Sequence, residues 1–166
     1  RRMTNYHADV RDYERILEIF KKENPEIIFH LAAQAIVREG YDRPLDTFST
    51  NIMGTANVLD AATKVPSVRA VVTATTDKVY ENRGEAHRPF KENDKLGGSD
   101  PYSASKVGAD FVAQSYLRSL PLAIVRAGNI IGGGDWGKDR LIPDIARSIE
   151  EGDAKIVLRY PHAIRP

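Results

Sequence analysis

Short apolar runs alternate along the chain with longer stretches in which apolar residues recur every three or four positions. In DVRDYERILEIFKKENP, residues 9–25, Ile16, Leu17, Ile19 and Phe20 share one side of a helix. Asp12 stands where an N-cap belongs, and Asn24-Pro25 stops the run. EIIFH at 26–30 has the length and β-branched content of a buried strand, and it leads into a turn of small residues. From Pro44 to about Lys64, Phe48, Ile52, Ala56, Leu59 and Ala62 keep helical spacing. SVRAVVTAT at 67–75 predicts the next strand, apolar nearly throughout, as parallel strands covered on both faces are. PYSASKVGADFVAQSYLRSL at 101–120 predicts a helix with Pro101 in its first turn. LAIVRAGN at 122–129 predicts another strand, and RLIPDIARSIEEG at 140–152 a helix closed by Gly152. Asp9-Val10 is expected to end a short strand of its own. The alternation predicts an α/β fold, a doubly wound parallel sheet with helices on both faces. Ligands of such sheets bind beyond the carboxyl ends of the strands.

Composition narrows this picture without changing it. At 166 residues, 42% hydrophobic and 28% charged, the chain is long enough to bury a core without staples. A net charge of +1 gives no reason to expect nucleic acid or an anionic membrane as partner. The absence of cysteine excludes disulfides, thiolate metal sites and a cysteine nucleophile, and it fits a reducing compartment. No apolar run approaches the roughly 20 residues of a membrane span. RRMTNYHADVRD lacks a signal-peptide core, so a cytoplasmic protein is expected. His7, His87 and His162 show no metal-ligand spacing, and no metal is expected; His30 reads as a core imidazole.

Candidate chemistry begins in TATTDKVY, residues 73–80. Strand interiors disfavour charge, yet Asp77 and Lys78 sit side by side where a predicted strand finishes. They are either a solvated pair opening a loop or part of a ligand site at the strand's carboxyl end. Downstream, Tyr102 and Lys106 lie four apart on a predicted helix, so both side chains can meet one bound molecule. A lysine cation near a phenol stabilises the phenolate, and a tyrosine tuned in this way can take a hydroxyl proton while hydride leaves the same carbon.

HLAA (30–33), TTDKVY (75–80), YSASK (102–106) and RAGNIIGGGDW (126–136), in this order, resemble the extended short-chain dehydrogenase/reductase family. Asp77 after Thr76 is similar to its nucleotide-sugar 4,6-dehydratases. Asp-Lys in place of the more usual Asp-Glu, with VRAGNIIGGGDW, DRLIPDIAR and HAIRP, resembles the branch acting on CDP-glucose. The resemblance implies a Rossmann-like fold and a bound NAD that takes hydride from sugar C4 and returns it to C6. It implies Tyr102 as the base at sugar O4, Lys106 as its cofactor-ribose partner, and Thr76 as a hydroxyl bonded to O4. Asp77 would protonate the departing 6-hydroxyl, and Lys78 stands where most relatives place the glutamate that removes the C5 proton. Lys78 either loses its charge through desolvation and takes that proton, or remains a cation that stabilises the enolate.

For the cofactor, the same resemblance implies Asp9 and Val10 at the adenine, with Leu31, Ala32 and Ala33 as a small turn that lets backbone approach. For the substrate it implies Gln34 and Asn129 at the sugar, and Arg140 and Arg165 at the diphosphate, where guanidinium pairs bidentately with phosphate oxygens. The glycines at 132–134 lack the spacing of a dinucleotide fingerprint, and no Gly-x-x-Gly-x-x-Gly occurs in the chain. The expected organisation is a partial NAD-binding domain over 1–128 and the beginning of a substrate domain over 129–166. The chain is thus expected to be a fragment of a larger enzyme, binding NAD poorly and inactive alone, with an apolar strand edge exposed. Helices 44–64 and 101–120 resemble the pair through which the family forms homo-oligomers, dimers or tetramers. Two rival functions stay open: a nucleotide-sugar epimerase or decarboxylase, and a non-catalytic nucleotide-sugar binding module.

Overall fold

A computed structural model describes residues 3–82, 88–137, 140–152, 155–158 and 161–162. The chain forms two compact units, Arg1–Ala127 and Gly128–Pro166.

In the first unit, helix α1 (Tyr13–Glu23) starts at Asp12, whose Oδ1 accepts the Arg15 amide at 3.1 Å. It ends at Asn24, which takes a left-handed φ of 47° and donates its N–H to Phe20 O at 2.8 Å; Pro25 then forbids continuation. Strands β1 (Ile27–His30), β2 (Ala70–Ala74) and β3 (Leu122–Val125) form one parallel sheet in the order β1-β2-β3. Ile28 pairs with Val71, and Val71 with Leu122, so the inward residues form one row. Onto that face pack Ile16 of α1, Val58, Leu59, Ala61 and Ala62 of helix α4 (Gly54–Thr63), and Ala113 of helix α5 (Pro101–Tyr116). On the opposite face Phe29 is 65% exposed and Val125 44%. Strict alternation along β1, and not a uniformly apolar run, is what separates the two faces.

The run predicted as one helix from Pro44 is α3 (Pro44–Phe48), a wide π turn over Ser49–Met53, and then α4. A short helix α2 (Val37–Asp42) precedes it, which the pattern VREGYD does not announce. Its Gly40 lies against α5: a Cβ there would stand 3.3 Å from Tyr102 N. The strand expected to end at Asp9-Val10 is not formed. Residues 3–9 pair with no strand among the described residues, and Val10 instead packs on α4, where its O accepts from Asn57 Nδ2 at 2.9 Å.

The second unit contains helix α6 (Leu141–Glu150), which ends at Gly152 with φ +75°. No helix among the described residues is long and apolar enough to cross a membrane.

Candidate active site

Backbone hydrogen bonds to the β3 segment continue past the end of β2 at Ala74. The Thr75 amide still bonds Val125 O at 2.8 Å and the Asp77 amide bonds Ala127 O at 2.9 Å, so the strand pairing carries the chain rigidly into its next turn. That turn is a single 3₁₀ turn, Asp77–Val79, capped by Thr76. Thr76 Oγ1 accepts the Lys78 amide at 3.3 Å and donates to Asp77 Oδ1 at 3.0 Å. Thr76 is buried, Asp77 half-buried and Lys78 exposed. The opposite charges therefore stand at the mouth of a strand end, with the hydroxyl beneath them.

α5 delivers the second group. Asp100 caps it, its Oδ1 accepting the Ser103 amide at 3.0 Å, and Pro101 sets the first turn. Tyr102 and Lys106 follow one turn apart, 8% and 7% exposed. Lys106 Nζ donates to Ala74 O at 3.2 Å, which docks the helix on the carboxyl end of β2, two residues before Thr76. Burial pushes the Lys106 ammonium below the usual lysine range. Among the described residues, Ala74 O is its one hydrogen-bond partner. An ammonium has three donors, so a buried one with two unmet fits the hydroxyls of a bound ribose. The residues present fit a dinucleotide cofactor on this ground.

The third element is the turn after β1. Asn51, in the π turn, accepts the Gln34 amide on Oδ1 at 2.9 Å, and its Nδ2 donates to Gln34 O at 3.0 Å and Ser105 Oγ at 2.8 Å. One fully buried amide thus ties the Leu31–Gln34 turn to the helix of Tyr102 and Lys106, and π turns commonly mark such sites. His30, at the end of β1, sets its Nε2 3.0 Å from Thr55 Oγ1, which itself donates to Asn51 O at 2.7 Å. Burial first, and then the Lys106 charge, hold the imidazole down at about 4, so it is neutral.

Thr76, Asp77, Lys78, Tyr102, Lys106 and the 31–34 turn accordingly gather at the carboxyl ends of β1 and β2. Leu31 and Ala32 are exposed there and Ala33 is half-buried. The Gln34 side chain is hydrogen-bonded within the protein and keeps one lone pair of Oε1: Oε1 accepts the Ile36 amide at 2.6 Å, and Nε2 donates to Ile36 O and, at 2.9 Å, to Thr47 Oγ1. Asp9 is exposed and gripped by Arg11, whose Nη2 lies 2.6 Å from Oδ2, and the guanidinium holds that carboxyl down at about 2. In the second unit Asn129 is exposed, and Arg140 pairs with Asp135 at 2.8 Å. Arg165 and His87 lie outside the described residues. No cluster that could hold a metal ion occurs among the described residues. Sequence reasoning missed Asn51, Ser105, Asp110 and Arg126; an Asn inside an otherwise good helical run was the one available signal.

Residues 1–160 match the family described as GDP-mannose 4,6 dehydratase. The chain is 45% identical to a CDP-glucose 4,6-dehydratase of Salmonella typhimurium, over 99% of this chain and 48% of that protein. It is 32% identical to a dTDP-D-glucose 4,6-dehydratase of Dictyostelium discoideum, over 83% of this chain and 34% of the relative. Among solved structures it resembles DesIV, a dTDP-glucose 4,6-dehydratase of Streptomyces venezuelae crystallised with NAD, at 30% identity and a TM-score of 0.78. That likeness covers 88% of this chain and 44% of DesIV. The chain thus spans about half the length of the relatives it matches. A parallel sheet ending in a Thr-Asp-Lys turn, faced by a buried Tyr-Lys helix, and a family match over nearly every residue lead to one conclusion: the chain belongs to the GDP-mannose 4,6 dehydratase family, within the short-chain dehydrogenase/reductase superfamily.

Proposed function

We propose that the full-length protein dehydrates a nucleotide-activated hexose, CDP-glucose, to its 4-keto-6-deoxy form with tightly held NAD. One observation carries this reading: Lys106 docks on Ala74 O at 3.2 Å, which brings the Tyr102–Lys106 helix to the Thr76-Asp77-Lys78 turn. CDP as the nucleotide is supported by the 45% identity to the Salmonella enzyme, against 32% to the Dictyostelium enzyme named for dTDP-glucose.

NAD, when bound, supplies the acceptor for the C4 hydride and its donor back to C6. Tyr102 Oη takes the O4 proton as the C4–H bond breaks, Lys106 holds the phenolate, and Thr76 Oγ1 bonds O4. The 4-ketone acidifies C5–H. Lys78, desolvated by the sugar, removes that proton; Asp77 gives its own to the 6-hydroxyl. The C6–O bond breaks, a C5–C6 double bond forms and water leaves. A proton returned to C5 and hydride at C6 complete the product, with net loss of one water. The adenine contacts of Asp9 and Val10 and the substrate contacts of Gln34, Asn129, Arg140 and Arg165 belong to this proposal, with division into an NAD-binding part over 1–128 and a substrate part from 129. So does a cytoplasmic homo-oligomer built on the helices at 44–64 and 101–120, where Leu45, Met53 and Phe111 are each more than half exposed.

The test is product analysis of the full-length protein with NAD and CDP-glucose. Loss of water with a 4-keto group supports the reading; an epimer of unchanged mass, or binding without turnover, refutes it.

A further inference from the structure

Asp110 is a fully buried carboxylate on α5, one turn beyond Lys106. Arg126, just after β3, grips it with a fork: Nε stands 2.8 Å from Oδ2 and Nη2 2.9 Å from Oδ1. Gln114 Nε2 donates to Oδ1 at 2.7 Å and Thr75 Oγ1 to Oδ2 at 3.2 Å. Arg126 Nη1 reaches the other way, to Tyr80 Oη at 3.2 Å and Glu92 O at 2.7 Å. Its guanidinium also stands 5.1 Å over the Tyr80 ring, which stacks on Phe90 at 4.8 Å.

Thr75 and Tyr80 bracket the turn that carries Thr76, Asp77 and Lys78. The ion pair therefore holds both flanks of that turn and fastens them to the helix that carries Tyr102 and Lys106. Stability alone is a weak reason for such a pair, since apolar residues of similar volume often serve a fold equally well. A rigid fork with donors spread over several chain segments is suited to fixing their relative position.

We infer that Asp110 and Arg126 are positioning residues that set the 76–79 turn against Tyr102 and Lys106, and so couple water elimination to the oxidation before it. The inference rests on the dehydratase reading. With the pair loosened, Tyr102 and Lys106 stay on their helix, so oxidation at C4 loses the Thr76 hydroxyl alone, whereas elimination loses both Asp77 and Lys78. Asp77 and Lys78 drift, and elimination falls further than oxidation.

The test uses the full-length protein with NAD and CDP-glucose, as Arg126→Lys, which keeps the charge and loses the fork, and Thr75→Val, which cuts one tether and leaves the pair intact. Two quantities are measured: the ratio of 4-keto sugar that has kept its water to 4-keto-6-deoxy product, and amide exchange at Asp77, Val79 and Tyr80 against Ile16 in α1. Displacements near an ångström cost about a hundredfold, so elimination relative to oxidation is expected to fall about 10- to 100-fold in Arg126→Lys and a few-fold in Thr75→Val. Exchange should rise at 77, 79 and 80 and stay unchanged at Ile16. A purely structural pair would slow both half-reactions by one factor and raise exchange throughout; that result overturns the inference. If Arg126→Lys fails to fold, Thr75→Val decides alone. An unmodified protein that removes no water overturns the dehydratase reading instead, and the exchange measurement still decides whether the pair holds the turn.

Discussion

The Thr76 hydroxyl donates to Asp77 Oδ1 at 3.0 Å while it accepts the Lys78 amide at 3.3 Å, so one side chain spans the turn that carries both charges. Its single proton cannot serve Asp77 and a substrate oxygen together. In the proposed reaction it turns to sugar O4 and gives up its hydrogen bond to Asp77. Thr76→Val is therefore expected to lower kcat by about 10²- to 10³-fold, in the range of one lost electrostatic donor. Thr76→Ser should retain most activity. Equal losses in Ser and Val variants would show that the methyl packing, and not the hydroxyl, matters.

Lys78 is the exposed member of the group and the easiest to remove without disturbing the fold. Lys78→Met should leave oxidation intact and stall the reaction before water is lost, with turnover down about 10²- to 10⁴-fold, the usual contribution of a positioned acid or base. Mass spectrometry of the sugar checks this, because a stalled 4-keto sugar retains the oxygen at C6. Normal formation of deoxy product by this variant would remove Lys78 from the chemistry. Asp77→Asn should stall at the same stage, since the amide cannot protonate the leaving hydroxyl.

The parts of this site that were legible in the sequence are those encoded locally. Tyr102 and Lys106 declare a shared helical face through spacing alone, and Asp77-Lys78 stands out because charge interrupts an apolar run. Asp12 and Asn24-Pro25 mark α1 at both ends for the same reason. What stayed hidden depends on contacts between distant segments. Asn51 meets Ser105 across 54 positions, and Arg126 meets Asp110 only because β3 lies beside β2 and under α5. Neither pairing leaves a periodic trace. The π turn at Ser49–Met53 is equally silent, because the apolar spacing on either side continues through it. The strand expected before Val10 failed for the opposite reason: local apolar character was present, and no neighbouring strand among the described residues was there to pair with it.

His30 makes the fold's stability depend on pH. Its folded-state value of about 4 lies below the ordinary 6.5, so the unfolded chain binds a proton over that interval and the folded chain does not. The stabilisation is complete above pH 6.5 and is lost as pH falls toward 4, by about 3 kcal/mol for this group. Denaturant unfolding at a series of pH values checks it: His30→Gln should flatten the slope between 6.5 and 4. An unchanged slope would assign the acid sensitivity to the carboxylates, with Asp110, held down by Arg126 and Gln114, the first to test.

Gly98 joins local geometry to catalysis most directly. A Cβ at this position would stand 2.3 Å from Ala104 N and 2.5 Å from Ser103 C, both backbone atoms in the first turns of α5. No rotamer change relieves such a clash, so either the loop or the start of the helix must move. Tyr102 lies in that same stretch of helix, and its placement depends on Asp100 capping Ser103 at 3.0 Å. Gly98→Ala is expected to cost about 1–3 kcal/mol, as overpacking does, and to lower Tm by several degrees. Activity should fall by more than the lost folded fraction, because the residue displaced is the proposed base. Gly132→Ala is the matched control: nothing lies within 4 Å of a Cβ there, and its Tm should be unchanged. If the two variants melt alike, the close approach of the 97–99 loop to α5 does not hold in solution, and the placement of Tyr102 derived from it fails as well.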